Sequence, residues 1–353
     1  MANDDTKWEI TYLKVETSQS DSKTDTLFAN GRMQVPVIVR VKAKKNAKST
    51  EVYTLTAAEL STIELIHYDD PDKTLSDGWS YSDKKNELFA NTISTARSAT
   101  LRAAVAQTLA ASTDVPQTKK YMVSTTKVES MKVGARIQQP TGTTVSTAGT
   151  KFNAHVTLTG KPPVVYTTDN VSVSKENTKN GEYQYDWWDK DTKRSSLKPF
   201  HQDNYFVSSN GYNFVKADIY GFDTTGKASG HPSDERLKNC YSYWSAPGYK
   251  TLKLCFIWEY GSEATRTAGL LRKDGWDTSG WRKAWAWDDI KINQKSNALC
   301  LTRMAFECPD SIWGKDWCSS DCGFTLYDIY GNTGKFHSSF SDDHDQIVIR
   351  NAN

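Results

Sequence analysis

Four tryptophans, Trp276, Trp281, Trp285 and Trp287, fall within twelve residues, with Asp274, Arg282, Asp288 and Asp289 beside them. An exposed row of indoles is a surface for sugar rings: apolar C–H faces stack on the π-system, and carboxylates, amides and guanidinium groups take the hydroxyls. On a strand Trp285 and Trp287 share a face, whereas on a helix Trp281 and Trp285 do. Core filling is the competing fate and the expected one for most of these rings, because tryptophan is among the most buried side chains on average. One or two exposed rings suffice for a platform.

The six cysteines, Cys240, Cys255, Cys300, Cys308, Cys318 and Cys322, share the C-terminal half with ten of the twelve tryptophans. They pair as disulfides if the protein is released, in any of fifteen connectivities, or stay as buried thiols inside a cell, which is the expectation here. A four-sulfur zinc site from Cys300, Cys308, Cys318 and Cys322 departs from the usual two-to-four-residue spacing at Cys300/Cys308. Two oxygen-rich runs, Tyr68–Asp72 and Ser341–Asp345, offer Ca²⁺ ligands, in the second case Asp342, Asp343 and Asp345. Neither has EF-hand spacing, and solvated turns are the ordinary reading.

For catalysis the motifs are missing: no G-x-S-x-G, H-E-x-x-H, P-loop or G-x-G-x-x-G. The histidines (His67, His155, His201, His231, His337, His344) are scattered. A glycosidase needs only two carboxylates brought together by the fold, so a carbohydrate-active enzyme stays among the alternatives.

The elements that must position these groups are β-strands. With 12% aromatic and 37% hydrophobic residues the chain is too aromatic for disorder and suits a loop-rich β protein. Lys+Arg 44 against Asp+Glu 42 leaves no field directed at nucleic acid. The start, MANDDTKWEI, has neither the basic nor the apolar region of a Sec signal, and no apolar run is long enough for a transmembrane helix. A soluble protein is expected, accumulating in the cytoplasm or released by lysis or a signal-independent route.

Met33, Val35, Val37, Val39, Val41 and Ala43 alternate with Gln34, Pro36, Ile38, Arg40 and Lys42, the pattern of a half-buried strand. Pro36 cannot donate a ladder hydrogen bond, which predicts an edge position or a bulge. Asn30-Gly31 marks a turn before it, and Ser61–His67 reads as the next strand, with Ile63, Leu65 and Ile66 inward.

The segment Leu27–Ala43, LFANGRMQVPVIVRVKA, resembles the opening strands of bacterial invasin/intimin-type immunoglobulin-like modules, in which an "ANG" turn leads into an alternating valine strand. The D-x-x-G hairpin that follows in those modules is replaced by KKNAKSTEVY. The resemblance covers about residues 1–92 and implies a sandwich, in a family that builds stalks and adhesive tips.

Leu101, Val105 and Leu109 in the alanine-rich Thr92–Ser112 predict a short amphipathic helix or an extended linker over 93–118. Strands resume over 119–172, where Met131–Ile137 and Ala154–Leu158 alternate, giving a second β module or the first sheet of a C-terminal body. Residues 173–353 form a Trp/Cys-rich β-sandwich. Asp218-Ile219-Tyr220-Gly221 and Asp328-Ile329-Tyr330-Gly331, each followed by Thr-Gly-Lys, read either as a duplicated hairpin unit or as a chance match of turn residues.

The expected fold is therefore all-β: an N-terminal immunoglobulin-like sandwich, a linker, and a larger aromatic sandwich. The expected function is non-enzymatic recognition of a glycan or cell-surface partner, in a bacterial host-interaction, adhesin or toxin-like setting. A self-assembling structural protein (inclusion, coat or fibre, with homo-oligomeric contacts) is the alternative.

Overall fold

The alternating valine segment lies at the heart of the first of five β-sheets. The computed structural model describes residues 8–19, 21–93, 115–189, 191–221, 239–245, 251–277, 280–307 and 321–352, with the backbone alone at 177, 187, 189, 245, 270–277, 280–286 and 321. Among the described residues there are twenty-two strands and one five-residue helix, so the chain is nearly all β. It divides into two units, Met1–Val164 with Ile329–Asn332 and Val165–Asp328 with Thr333–Asn353.

The first unit contains β1 (Glu9–Thr17), β2 (Thr24–Phe28), β3 (Val35–Lys44), β4 (Val52–Tyr53), α1 (Ala57–Ser61), β5 (Glu64–His67), β6 (Asp70–Thr74), β7 (Trp79–Ser82), β8 (Gln117–Thr125), β9 (Ser130–Gln138), β10 (Thr144–Ser146) and β11 (Val156–Lys161). One sheet has the order β1-β3-β8-β7 with β4 on β3; the other has β2-β11-β9-β5-β6 with β10 on β9. All these pairings are antiparallel except β2 with β11.

Val35, Val37, Val39 and Val41 are fully buried, so the period-2 reading of β3 describes its core face. Its position is a correction, because β3 is interior, flanked by β1 and β8. Pro36 is tolerated there because the β1 ladder ends at Thr17↔Val37, one residue short of it. In the turn ahead, Gly31 has φ +69°, and Asn30 Oδ1 accepts from the backbone N–H of Arg32 and Met33, both at 2.9 Å. The next expected strand starts later than its hydrophobic pattern implied. Ser61 ends α1, whose Thr56 and Glu59 form a reciprocal capping box, and β5 begins at Glu64.

The register also moves a boundary. Strands β8, β9 and β11 are threaded among β2, β3 and β5 in both sheets, so Gln117–Lys161 completes the first sandwich. Composition had divided the chain at residues 92 and 118 instead, because β8 and β9 pair with strands far back along the chain and local pattern carries no partner information. The expected helix or linker falls mostly on 94–114, outside the described residues.

The second unit contains β12 (Val171–Asp189), β13 (Thr192–Ser209), β14 (Phe214–Tyr220), β15 (Cys240–Ser245), β16 (Thr251–Ile257), β17 (Ala264–Asp277), β18 (Gly280–Ile292), β19 (Ala298–Glu307), β20 (Asp321–Asp328), β21 (Thr333–Phe340) and β22 (Ile347–Asn351). Its sheets run β12-β13-β19-β16-β15 and β14-β20-β21-β22, with β17 and β18 forming a separate two-stranded ribbon. The five-stranded sheet is covered on both faces. On one lie Tyr183, Tyr185, Phe200, Phe206, Phe256 and Phe306, joined by Ala268, Ile290 and Ile292 of the ribbon. On the other the Tyr241 hydroxyl meets Ser338 Oγ of β21 at 2.6 Å.

Asp218–Tyr220 end β14 and Asp328 ends its antiparallel neighbour β20, whereas Ile329–Gly331 follow that strand. Gly221 (φ +85°) and Gly331 (φ +79°) are both left-handed, as a glycine turn requires. Asp218, by contrast, is ion-paired to Lys216 near the surface, while Asp328 is fully buried and accepts from the Tyr166 hydroxyl at 2.8 Å. Residues 222–227, the rest of the first copy, lie outside the described residues.

Candidate ligand-binding face on the paired ribbons

Both hairpins that carry the tryptophans outgrow the sheet. β13 pairs with β19 only from Phe200 to Ser208, so Thr192–Pro199 is held by β12 alone. β17 and β18 pair only with each other, with Trp276 opposite Trp281, Leu271 opposite Trp285 and Gly269 opposite Trp287. Strands β12, β17 and β18 together hold six tryptophans: Trp187 and Trp188, Trp276, and Trp281, Trp285 and Trp287.

Trp287 is 40% exposed. Its cross-strand partner Gly269 has no side chain to cover it. Trp281 and Trp285 share its alternate positions on β18, the set opposite Ile290 and Ile292, which are in the core. The strand alternative for Trp285 and Trp287 is thus the one realised. The side chains of Trp276, Trp281, Trp285, Asp274 and Arg282 lie outside the described part of the structure.

Asp288 points to the neighbouring ribbon, where its Oδ2 stands 2.7 Å from Lys179 Nζ of β12. That ammonium also sits 5.1 Å above the Phe200 ring. Asp289 is exposed and accepts from Thr267 Oγ1 at 2.5 Å. On β12, Trp188 is half-buried beneath the Lys193 ammonium, 5.6 Å from its ring, and Lys193 pairs with Asp186 at 2.9 Å. Elsewhere Trp8, Trp79 and Trp258 are core residues.

At the foot of the β17–β18 ribbon lies a cavity of about 310 Å³. Trp258, Glu259, Tyr260, Arg266 and Asn293 are among its walls. The Trp258 indole N–H donates to Thr302 Oγ1 at 2.8 Å and its ring stacks on Phe256, 5.4 Å away and 5° from parallel. The Tyr260 hydroxyl donates to the Phe214 carbonyl at 2.5 Å, and burial pushes its pKa up to about 12. Asn293, at φ +52°, donates from Nδ2 to the Glu259 carbonyl at 3.0 Å, which leaves its buried Oδ1 without a donor. None of these five was singled out from the sequence as a ligand-binding residue. Asn293 following an alternating strand is a left-handed turn signal that marks the ribbon foot.

A second polar group lies inside the sheet. Asp203 and Arg303, 3.5 Å apart, are both almost fully buried, and Asp203 also meets His201 Nε2 at 3.0 Å and Thr178 Oγ1 at 3.0 Å. Arg303 continues to Asp345 at 2.6 Å.

Asp345 belongs to the oxygen-rich run Ser341–Asp345. The Lys253 ammonium beside Asp345 holds its carboxyl below the usual range, with Arg303 helping, while Asp343 is lowered first by the Ser341 hydroxyl. The run closes as a turn and an ion pair, with Asp343 and Asp345 engaged by protein donors. Asp69 likewise faces Lys132 at 3.3 Å. Among the described residues no three His, Cys, Asp or Glu side chains converge as a metal site. Cys240, Cys255, Cys300 and Cys322 are buried thiols, and burial pushes the Cys300 thiol up to about 12. Cys308 and Cys318 lie outside the described residues.

Among the described residues no helix is long and apolar enough to cross a membrane. No family model and no curated protein matches the chain. Among solved structures it is similar to the C-terminal domain of the Streptococcus pyogenes antigen I/II-family protein AspA, at 10% identity over 97% of this chain and 99% of that one, with a TM-score of 0.21. A likeness at that score carries neither fold nor function across.

Proposed function

We propose that the chain is a non-enzymatic recognition protein that holds a glycan or a cell-surface partner on the ribbon face of its second unit. The observation that carries the reading is Trp287, a large ring left 40% exposed on a ribbon whose other face is anchored in the core. An exposed indole with Asp289 two positions along the same face of β18 offers a sugar both a stacking surface and hydroxyl acceptors. The Lys179–Asp288 pair fixes the two ribbons against each other, so the face is formed before a ligand arrives.

A glycan array probed with the full chain and with Trp287→Ala tests this. Selective binding that the variant loses supports the reading. An array and a panel of cell surfaces that remain blank for the wild-type chain contradict it.

A further inference from the structure

We propose that the cavity at the ribbon foot is a binding site for a carboxylate-bearing sugar, with Arg266 as the anchor for the carboxylate. The proposal rests on the recognition reading and names the ligand class that this part of the second unit selects.

The cavity volume of about 310 Å³ suits one sugar unit and lies within the ordinary range of ligand sites. Arg266 is exposed, and its only hydrogen bond to protein among the described residues runs from Nη1 to the Thr265 carbonyl at 3.1 Å. Its remaining N–H groups form a planar fork that matches a carboxylate in two places at once. Glu259 lines the same space, exposed and with no ion pair among the described residues.

A bare anion would use Arg266 and be repelled by Glu259. An aliphatic acid would leave Glu259 without donors. A sugar acid satisfies both, with its carboxylate on Arg266 and hydroxyl donors for the Glu259 oxygens. The walls are set beforehand: Trp258 by its bond to Thr302, Tyr260 by its bond to the Phe214 carbonyl. Little side-chain freedom remains to be lost on binding.

Calorimetric titration of the full chain with glucuronate, glucose and N-acetylaspartate tests the site, since glucose lacks only the charge and N-acetylaspartate lacks the ring. Glucuronate is expected to bind about tenfold more tightly than either, the range of one charge-assisted contact. Arg266→Gln, at an exposed position, should erase that preference with an unchanged circular dichroism spectrum. Equal affinity for glucose or for N-acetylaspartate, a preference that survives Arg266→Gln, or no heat from any of the three at millimolar concentration each overturns the proposal. Array binding lost only in Trp287→Ala would then leave the ribbon reading standing by itself.

Discussion

Lys179 Nζ lies 2.7 Å from Asp288 Oδ2, joining the ribbon of β12 and β13 to the ribbon of β17 and β18 across 109 positions of sequence. Phe200 beneath the ammonium adds a cation–π contact at 5.1 Å. The Lys179 side chain is half exposed, so the pair is screened by solvent and contributes little to overall stability. Its consequence is geometric.

A double-mutant cycle with Lys179→Met and Asp288→Asn should therefore give a coupling below about 1 kcal/mol in urea unfolding. Either single variant should weaken ligand capture by more than it lowers the unfolding midpoint. A coupling well above that range would mean that the pair is a structural buttress.

The buried pair behaves differently. Asp203 and Arg303 are 1% and 5% exposed in their side chains. Arg303→Met leaves the Asp203 carboxylate in the interior with Thr178, His201 and a 3.6 Å lysine contact as partners. The expected loss is about 3 kcal/mol in denaturant unfolding, because removing one partner of a buried pair costs far more than breaking a surface pair.

A third prediction concerns the first unit. A Cβ at Gly160 would stand 2.0 Å from the Lys127 carbonyl oxygen, a backbone atom that cannot rotate away. Gly160→Ala should destabilise by about 2 kcal/mol or more, in the range of overpacked cores, although β11 is otherwise a regular strand. Gly142→Ala controls for added side-chain volume, as nothing lies within 4 Å of its Cβ position. There only the φ of +83° opposes the change.

At alkaline pH five buried phenols set the limit. Burial pushes Tyr121, Tyr205 and Tyr260 up to about 12, and Tyr166 and Tyr241 further. The unfolded chain ionises its tyrosines near pH 10 while the folded chain keeps these five neutral. Stability is therefore intact below about pH 10 and falls as pH rises toward 12, by about 1.4 kcal/mol per unit for each phenol ionised only in the unfolded state. The last tyrosinate step, from these five phenols among seventeen tyrosines, should coincide with the change in far-ultraviolet circular dichroism. Completion of the tyrosinate signal well before the dichroism changes would contradict the assignment.

The parts of the fold legible in the sequence are those where one face is buried and the other wet. Val35–Ala43 alternates because β3 has one core face, and Val133, Ala135 and Ile137 do the same on β9. Legibility fails where both faces are covered. Gln202-Asp203-Asn204 reads as a polar surface segment, yet all three are buried between the aromatic core and the second sheet, and the partner Arg303 is a hundred positions away.

Partner choice was also hidden, since nothing local in β2 announces a parallel neighbour at Thr157–Lys161. Thr56 and Glu59 did carry a readable signal for α1, the S/T-x-x-E spacing of a capping box, in a stretch otherwise read only for strands. At the candidate site the tryptophan cluster was visible from composition. Arg266, Glu259 and Asn293 were not, because only the return of β18 beside β17 brings them to one cavity.

The most direct test of the recognition face is acrylamide quenching of tryptophan fluorescence, in the wild-type chain and in Trp287→Ala, before and after adding a glycan selected from the array. The account predicts an accessible component that Trp287→Ala diminishes and that the glycan protects in the wild-type chain alone. An accessible component that is unchanged by the substitution, or unprotected by every glycan that binds, would contradict it.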